Sequence, residues 1–297
     1  MRVTSNTFAE ALKPQLGRLA ANQIKLQSQL ATGQRIMDPS DDPAAMARVL
    51  ELQSEKREIG QYQRNISRLD SIANVTFNSI ESLQRLNQRA TELSFRASDA
   101  IGDETYSAYA IEVNQLIEQA LDVANSKYLK DHIFAGAAVD SEPFVATRDI
   151  DGNITSVAYA GSTNNPEVRI SDVSKVKTYN DPAANVQIND YITHLIALRD
   201  AMNATDQAAV KTAATNLIND EDNFVLMVSD ISANILRLEV AETQQASRYT
   251  DMDERISVEA DVDFAQTIVN LNTTQNAYQA ALSSASRVLQ QSLIDFI

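Results

Sequence analysis

Apolar residues recur every three or four positions at both ends of this chain, and the same rhythm fills much of what lies between. Towards the C-terminus the line reads Phe264, Ile268, Leu271, Gln275, Tyr278, Leu282, Ala285, Leu289, Ser292 and Phe296. Steps of four and three alternate throughout, which is the 3.5-residue period of a left-handed coiled-coil seam rather than the wider stripe of a globular surface helix. The seam closes on Leu293, Ile294, Phe296 and Ile297. An apolar end on a long seam implies burial against something beyond what one chain supplies.

The N-terminal end repeats the pattern. Leu12, Leu16, Leu19, Gln23, Leu26 and Leu30 predict a helix over residues 8–32. Pro14 lies inside this run, and proline suits the first turn of a helix, so the regular part is expected to begin near Lys13. Gly33 follows as a C-terminal cap. Gln23 and Gln275 both fall on seam positions, either as a partly exposed stretch or as a polar pair that sets register.

Asp38-Pro39-Ser40-Asp41-Asp42-Pro43 cannot continue a helix. Asp42 is a good N-cap and Pro43 a good first helical residue, so Pro39, Asp42 and Pro43 form a hinge that feeds a new helix. That helix is very long. Val49, Leu52, Ile59, Tyr62, Ile66, Leu69 and onward to Leu93 keep near-heptad spacing, and about 55 residues make a rod of roughly 80 Å. A break is expected at 100–103. Asp103 then caps a third helix, marked by Tyr106, Ala110, Val113, Ile117, Ala120 and Ala124 and running to about Asp131.

From Phe134 the texture changes to β. Phe144–Thr147 and Ile154–Tyr159 flank Asp151-Gly152, which reads as a hairpin turn. Val168-Arg169-Ile170 and the residues after Val173 continue the strand-like pattern. Helices return near Asp190 with a short one carrying Ile192, Leu195, Leu198 and Met202. A second long one follows from Asp206, and a second hinge falls at 257–261 before the terminal seam. The expected fold is mainly α: nested antiparallel long helices with terminal coiled-coil helices, plus a small β-rich insertion. Three divisions follow: 1–42 with 258–297 as the terminal coiled coil, 43–135 with 188–257 as a long-helix bundle, and 136–187 as the insertion.

Composition narrows the function. Hydrophobic residues make up 44% of 297, enough for a core, and only 7 Gly and 6 Pro punctuate the helices. The net charge of -15 repels phosphate backbones and anionic lipid, which argues against nucleic acid and membrane surfaces as partners. The chain has no cysteine, so disulfides and thiolate metal sites are excluded. It contains no apolar run long enough to span a bilayer, and residues 1–8 lack the pattern of an ordinary cleaved signal peptide.

No catalytic constellation is present, and no cofactor is called for. His132 and His194 are far apart and read as surface or core-edge residues rather than ligands. Asp149-Ile150-Asp151-Gly152-Asn153 is a turn rather than a calcium loop, because the downstream bidentate Glu is missing. Asp261 and Asp263 are expected as helix-start acids. Matching apolar seams at both ends describe an assembly element. Ala20, Ile24, Val262, Val269, Leu293 and Ile297 lie off the main seam and mark a binding surface. Head-to-tail contacts of this kind close into rings or run on as helical filaments.

Four stretches carry a family resemblance. Gly33-Gln34-Arg35-Ile36, then Pro39-Ser40-Asp41-Asp42-Pro43-Ala44, then Asn65-Ile66 with Leu69 resemble the N-terminal region of bacterial flagellins. Asp261-Val262-Asp263-Phe264-Ala265-Gln266 and the seam after it are similar to that superfamily's C-terminal helix. The Pro-Ser-Asp-Asp-Pro form resembles the superfamily's hook-associated junction proteins more than flagellin proper. The resemblance covers both ends of the chain and not the β insertion.

The resemblance implies a structural, non-enzymatic part of the bacterial flagellum that joins hook to filament. Its implied partners are copies of itself in a ring, neighbouring axial proteins such as flagellin and another hook-associated protein, and an export chaperone on the C-terminal helix. It also implies an extracellular site reached by type III export without a cleaved signal. The assembly residues expected from the two end seams are Leu12, Leu16, Leu19, Leu26, Leu30, Phe264, Ile268, Leu271, Tyr278, Leu282, Leu289 and Phe296. Two other readings stand beside it: flagellin itself, the bulk filament subunit, and an intracellular helical scaffold.

Overall fold

Among the described side chains, four aspartates cap helix starts. Asp42 accepts the Ala45 amide at 3.0 Å, Asp181 that of Ala183 at 3.0 Å, and Asp263 that of Gln266 at 3.0 Å. Asp206 takes both Ala208 and Ala209, each at 3.0 Å. Each carboxylate satisfies amides that the first helical turn leaves without partners, and its charge suits the positive end of the helix dipole.

The computed structural model describes residues 4–98, 103–178 and 181–294, with the backbone alone at 4–11, 103 and 288–294. Among them the helices are α1 Thr4–Thr32, α2 Pro43–Ser98, α3 Asp103–Ala124, α4 Pro182–Asn203, α5 Gln207–Ala260 and α6 Phe264–Ile294. Between α3 and α4 come β1 Lys127–Tyr128, β2 Asp131–His132, β3 Phe144–Arg148, β4 Ile154–Tyr159, β5 Glu167–Arg169 and β6 Lys175–Lys177. The strands form three separate antiparallel pairs, β1–β2, β3–β4 and β5–β6. The protein is mainly α with a small β-rich insertion.

Three boundaries differ from the sequence expectation. α1 runs through Pro14 instead of beginning beside it. Proline removes one helical hydrogen bond, and here its ring lies on the exposed side, where that loss strains no packed neighbour. α3 ends at Ala124, short of Asp131. There the Asn125 side chain takes up the backbone of Phe144, donating to its carbonyl at 2.9 Å and accepting its amide at 3.0 Å. The chain then turns into β1 and β2. α4 begins at Pro182 rather than near Asp190, because Asp181-Pro182 repeats the cap-and-proline start of Asp42-Pro43. The expected break at 100–102 lies outside the described residues.

The residues group into two compact units: those up to Glu58 together with those from Arg248, and Ile59–Ser247. In the second, α2 and α5 run antiparallel. Asn87 donates to the Leu217 carbonyl at 2.9 Å, and Gln84 to Glu221 at 2.8 Å. α3 and α4 pack on each other and on β4 over a core that includes Leu83, Leu93, Ile117, Ile192, Leu195 and Leu217. Tyr191 and Phe224 meet edge to face there, with centroids 5.0 Å apart. A smaller apolar cluster under β5–β6 joins Ile66, Leu69, Ile170, Val176 and Leu238.

The β3–β4 hairpin turns at Asp149–Asn153, where the Asp149 carboxylate accepts the amides of Asp151 at 3.0 Å and Asn153 at 2.8 Å. Gly152 takes φ +86, as the turn demands. The two histidines are structural. His132 is buried, with Nδ1 2.9 Å from the Asn125 carbonyl, and His194 Nδ1 lies 2.7 Å from the buried Asp220 carboxylate.

Candidate assembly surface

In the first unit, α1 and α6 lie antiparallel and pack along their lengths. Gly33 ends α1 in the left-handed region at φ +73, donating to the Gln29 carbonyl at 2.9 Å. The chain then leaves as an extended segment that meets the segment before α6. Val262 donates to the Gly33 carbonyl at 2.9 Å, Arg35 N to the Ala260 carbonyl at 2.7 Å, and Gln34 pairs with Asp261 in a one-residue antiparallel bridge. The start of the α6 seam is thereby registered on the end of the α1 seam.

Leu12, Leu16, Leu19, Gln23, Leu26 and Leu30 all lie half-buried on one face of α1. On α6 the line of least exposure is Thr267, Leu271, Thr274, Tyr278, Ala281 and Ala285, so Leu271, Tyr278 and Ala285 sit as the 3.5 period places them. Phe264, Ile268 and Leu282 do not. They are exposed, and Thr267 is buried in place of Ile268. The reason is steric. α1 brings a leucine to nearly every contact, and large side chains interdigitate best with small ones, so α6 turns Thr267, Thr274 and Ala281 inward. The Leu289 side chain and Phe296 lie outside the described residues, as do the Leu293 side chain and Ile297.

The α1–α6 pair therefore leaves an apolar stripe uncovered. Ile24, Phe264, Ile268, Val269 and Leu282 are between 44% and 64% exposed, while Ala20 and Val262 are half-buried. Scattered single exposed apolar residues need no explanation, but Phe264, Ile268 and Leu282 share one face of α6 and mark a contact surface, while Val269 and Ile24 are exposed on other faces.

A polar joint holds the base of this pair. Glu259 receives Arg48 through Nε at 3.1 Å and Nη2 at 2.9 Å, and its backbone carbonyl receives Arg35 Nη2 at 2.7 Å. Arg35 also reaches Asp42 at 3.3 Å, and its own carbonyl accepts Gln29 Nε2 at 2.8 Å. Asp41 gathers Lys25 at 2.6 Å and the amides of Met37 at 3.1 Å and Asp38 at 3.2 Å. The Lys25 ammonium foremost, with those two amides, holds the Asp41 carboxyl down at about 2. Hydrogen bonding from the Ala45 amide and then Arg35 lowers Asp42, and Arg48 lowers Glu259. Pro39 is exposed at the turn and Pro43 opens α2. Further along, Lys56 pairs with Asp253 and lies 4.6 Å from the centre of the Tyr249 ring.

This geometry presents two registered helices and an apolar stripe on a braced base. Residues 3–138 match the family model of the bacterial flagellin N-terminal helical region. Along 320 aligned residues the chain is 21% identical to flagellar hook-associated protein 3 of Salmonella typhimurium, covering 99% of this chain and 98% of that one. The protein is flagellin-like, and similar over nearly its whole length to hook-associated protein 3.

The Escherichia coli hook-associated protein 3 is 22% identical over 288 residues, or 88% of each chain. Among solved structures, Bacillus cereus FlgL superposes with a TM-score of 0.60 at 19% identity, over 70% of this chain and 99% of that one, and so shares its fold. In this flagellin-like chain the joint was only partly readable beforehand. Arg35 stands in the Gly33-Gln34-Arg35-Ile36 run that carries the resemblance, but Arg48 and Glu259 had no local signal. An arginine and a glutamate on exposed helix turns look like any solvated pair until the fold brings them together.

Proposed function

We infer that this protein is a structural subunit of the bacterial flagellum, acting as the junction that joins hook to filament. The observation that carries the reading is the uncovered apolar stripe on the α1–α6 pair, together with likeness along the whole chain to proteins named hook-associated protein 3. A stripe of this kind is satisfied by neighbouring molecules in an axial structure, and contacts between unlike faces close rings or propagate helices.

The partners that suit this role are copies of the chain in a ring, with another hook-associated protein on one side and flagellin on the other. The apolar α6 would be shielded by an export chaperone before assembly. Type III export would bring the chain outside the cell without a cleaved signal peptide. The assembly residues are Leu12, Leu16, Leu19, Leu26, Leu30, Leu271 and Tyr278 within the pair, and Phe264, Ile268 and Leu282 outside it. Leu289 and Phe296 continue the same period in the sequence. In tube terms, 1–42 with 258–297 would make the inner layer, 43–135 with 188–257 the bundle around it, and 136–187 the outward face.

Electron microscopy of purified flagella carrying a label on this protein tests the reading. One short band at the outer end of the hook is expected. A label along the whole fibre would make the protein a filament subunit instead, and a label found only inside cells would end the flagellar reading. Deleting 261–297 should leave a folded monomer that no longer assembles.

A further inference from the structure

The β1–β2 turn is built in an unusual way. Tyr128 pairs with Asp131, so Leu129 and Lys130 alone make the turn, and Leu129 adopts φ 58. A first turn position with positive φ favours Gly or Asn, and a branched apolar side chain there is strained. Leu129 is also 85% exposed. A leucine that is both conformationally costly and uncovered gives the fold nothing, and such outliers point to a function. Exposed Lys127 and Lys130 flank it, and the Arg68–Asp131 ion pair at 3.2 Å braces the turn against α2. The result is a protruding apolar knob between two cations.

The same unit carries the matching surface on α5. Leu226 is 67% exposed, with exposed Asp222 one turn before it and exposed Asp230 one turn after. Residues four apart share a helix face, so the three line up as acid, leucine, acid. In a chain with net charge -15, a lysine-flanked leucine finds its complement on the chain's own acidic helices.

We propose that Leu129 of one copy seats against Leu226 of the next, with Lys127 and Lys130 meeting Asp222 and Asp230. The contact is head-to-tail, since knob and receptor are different surfaces, so it links copies in series rather than in closed pairs. It rests on the structural-subunit reading and adds the faces by which neighbours recognise each other.

The chain has no cysteine, which makes the test clean. A full-length chain carrying both Leu129→Cys and Leu226→Cys, oxidised in intact flagella, is expected to give a ladder of linked multimers. Pairing Ile150→Cys, at the tip of the β3–β4 hairpin, with Leu226→Cys should give none. Lys127→Glu with Lys130→Glu should lower the protein recovered in flagella by about tenfold or more, as for an interface anchor. Adding Asp222→Lys and Asp230→Lys to that chain should restore it. Leu129→Gly should also lower recovery, while the melting temperature of the purified protein does not fall, because glycine accepts the turn. Protein sitting at the hook end with no ladder and no rescue overturns the contact and leaves the junction reading intact. A ladder from protein spread along the whole fibre overturns the junction reading and leaves the contact standing.

Discussion

Arg48 holds Glu259 by two nitrogens, at 3.1 and 2.9 Å, although 211 residues separate them in the chain. The pair joins the first turns of α2 to the last turn of α5, and Arg35 adds a bond to the Glu259 carbonyl. Both side chains face solvent, so the fork orients the joint more than it stabilises the protein. Glu259→Gln or Arg48→Ala should leave the thermal melt nearly unchanged. Hydrogen exchange at the Arg35 and Val262 amides should become faster, since these two bonds zip the hinge strands together. Unchanged exchange would mean that the backbone bridge stands without the fork.

Asp41 predicts how the joint responds to acid. Its folded pKa of about 2 lies below the ordinary 3.8, so the ionised carboxylate stabilises the hinge above pH about 4. That contribution disappears as pH falls towards 2. Carboxyl NMR should show Asp41 titrating well below 3.8, with the Met37 and Asp38 amides shifting in step. Asp41→Asn should remove the pH dependence of those amides. Titration of Asp41 near 3.8 would contradict the cluster.

Gly33 is constrained by its backbone rather than by crowding. A Cβ there would lie 3.6 Å from Phe264 Cζ, an ordinary contact, but φ is +73. Gly33→Ala should therefore destabilise the protein by about 1 kcal/mol, and Gly33→Asn by less, because asparagine tolerates the left-handed region. Urea unfolding of the two variants distinguishes this from a steric clash, which would make Asn the worse choice.

Tyr191 and Phe224 should respond in opposite directions. Phe224 is almost fully buried against Tyr191, so Phe224→Ala should cost about 3–5 kcal/mol. Among the described residues the Tyr191 hydroxyl is buried without a hydrogen-bond partner, and burial pushes its pKa well up. Tyr191→Phe removes that unsatisfied group and should stabilise by about 1 kcal/mol. Chemical denaturation midpoints measure both. A destabilised Tyr191→Phe variant would show that the hydroxyl is satisfied after all.

Where neighbouring residues decide the structure, the local pattern is enough to place it. The 3.5-residue period placed α1 and α6, and Asp42-Pro43 marked the start of α2. Asp151-Gly152 marked the β3–β4 turn. The same logic applied to Asp181-Pro182 would have found the start of α4. Surrounding strand-like residues hid it, since a proline among them suggests a loop as readily as a first helical turn. The end of α3 was harder to see, because it depends on Asn125 bonding to Phe144, a residue in a strand that forms only after the chain has turned back.

What the sequence determined by itself was therefore the set of helices, the apolar face of α1 and the boundaries set by local caps at Gly33 and Asp42-Pro43, since periodicity, caps and turns act over a few residues. The tertiary structure decided which side of α6 turns inward, burying Thr267 and leaving Ile268 out, because that choice follows the volume of the leucines on α1. It also decided that Arg48 meets Glu259, and that Leu129 stands strained and uncovered between two lysines. Those outcomes depend on the shape and charge of residues far away in the chain, which no local pattern encodes.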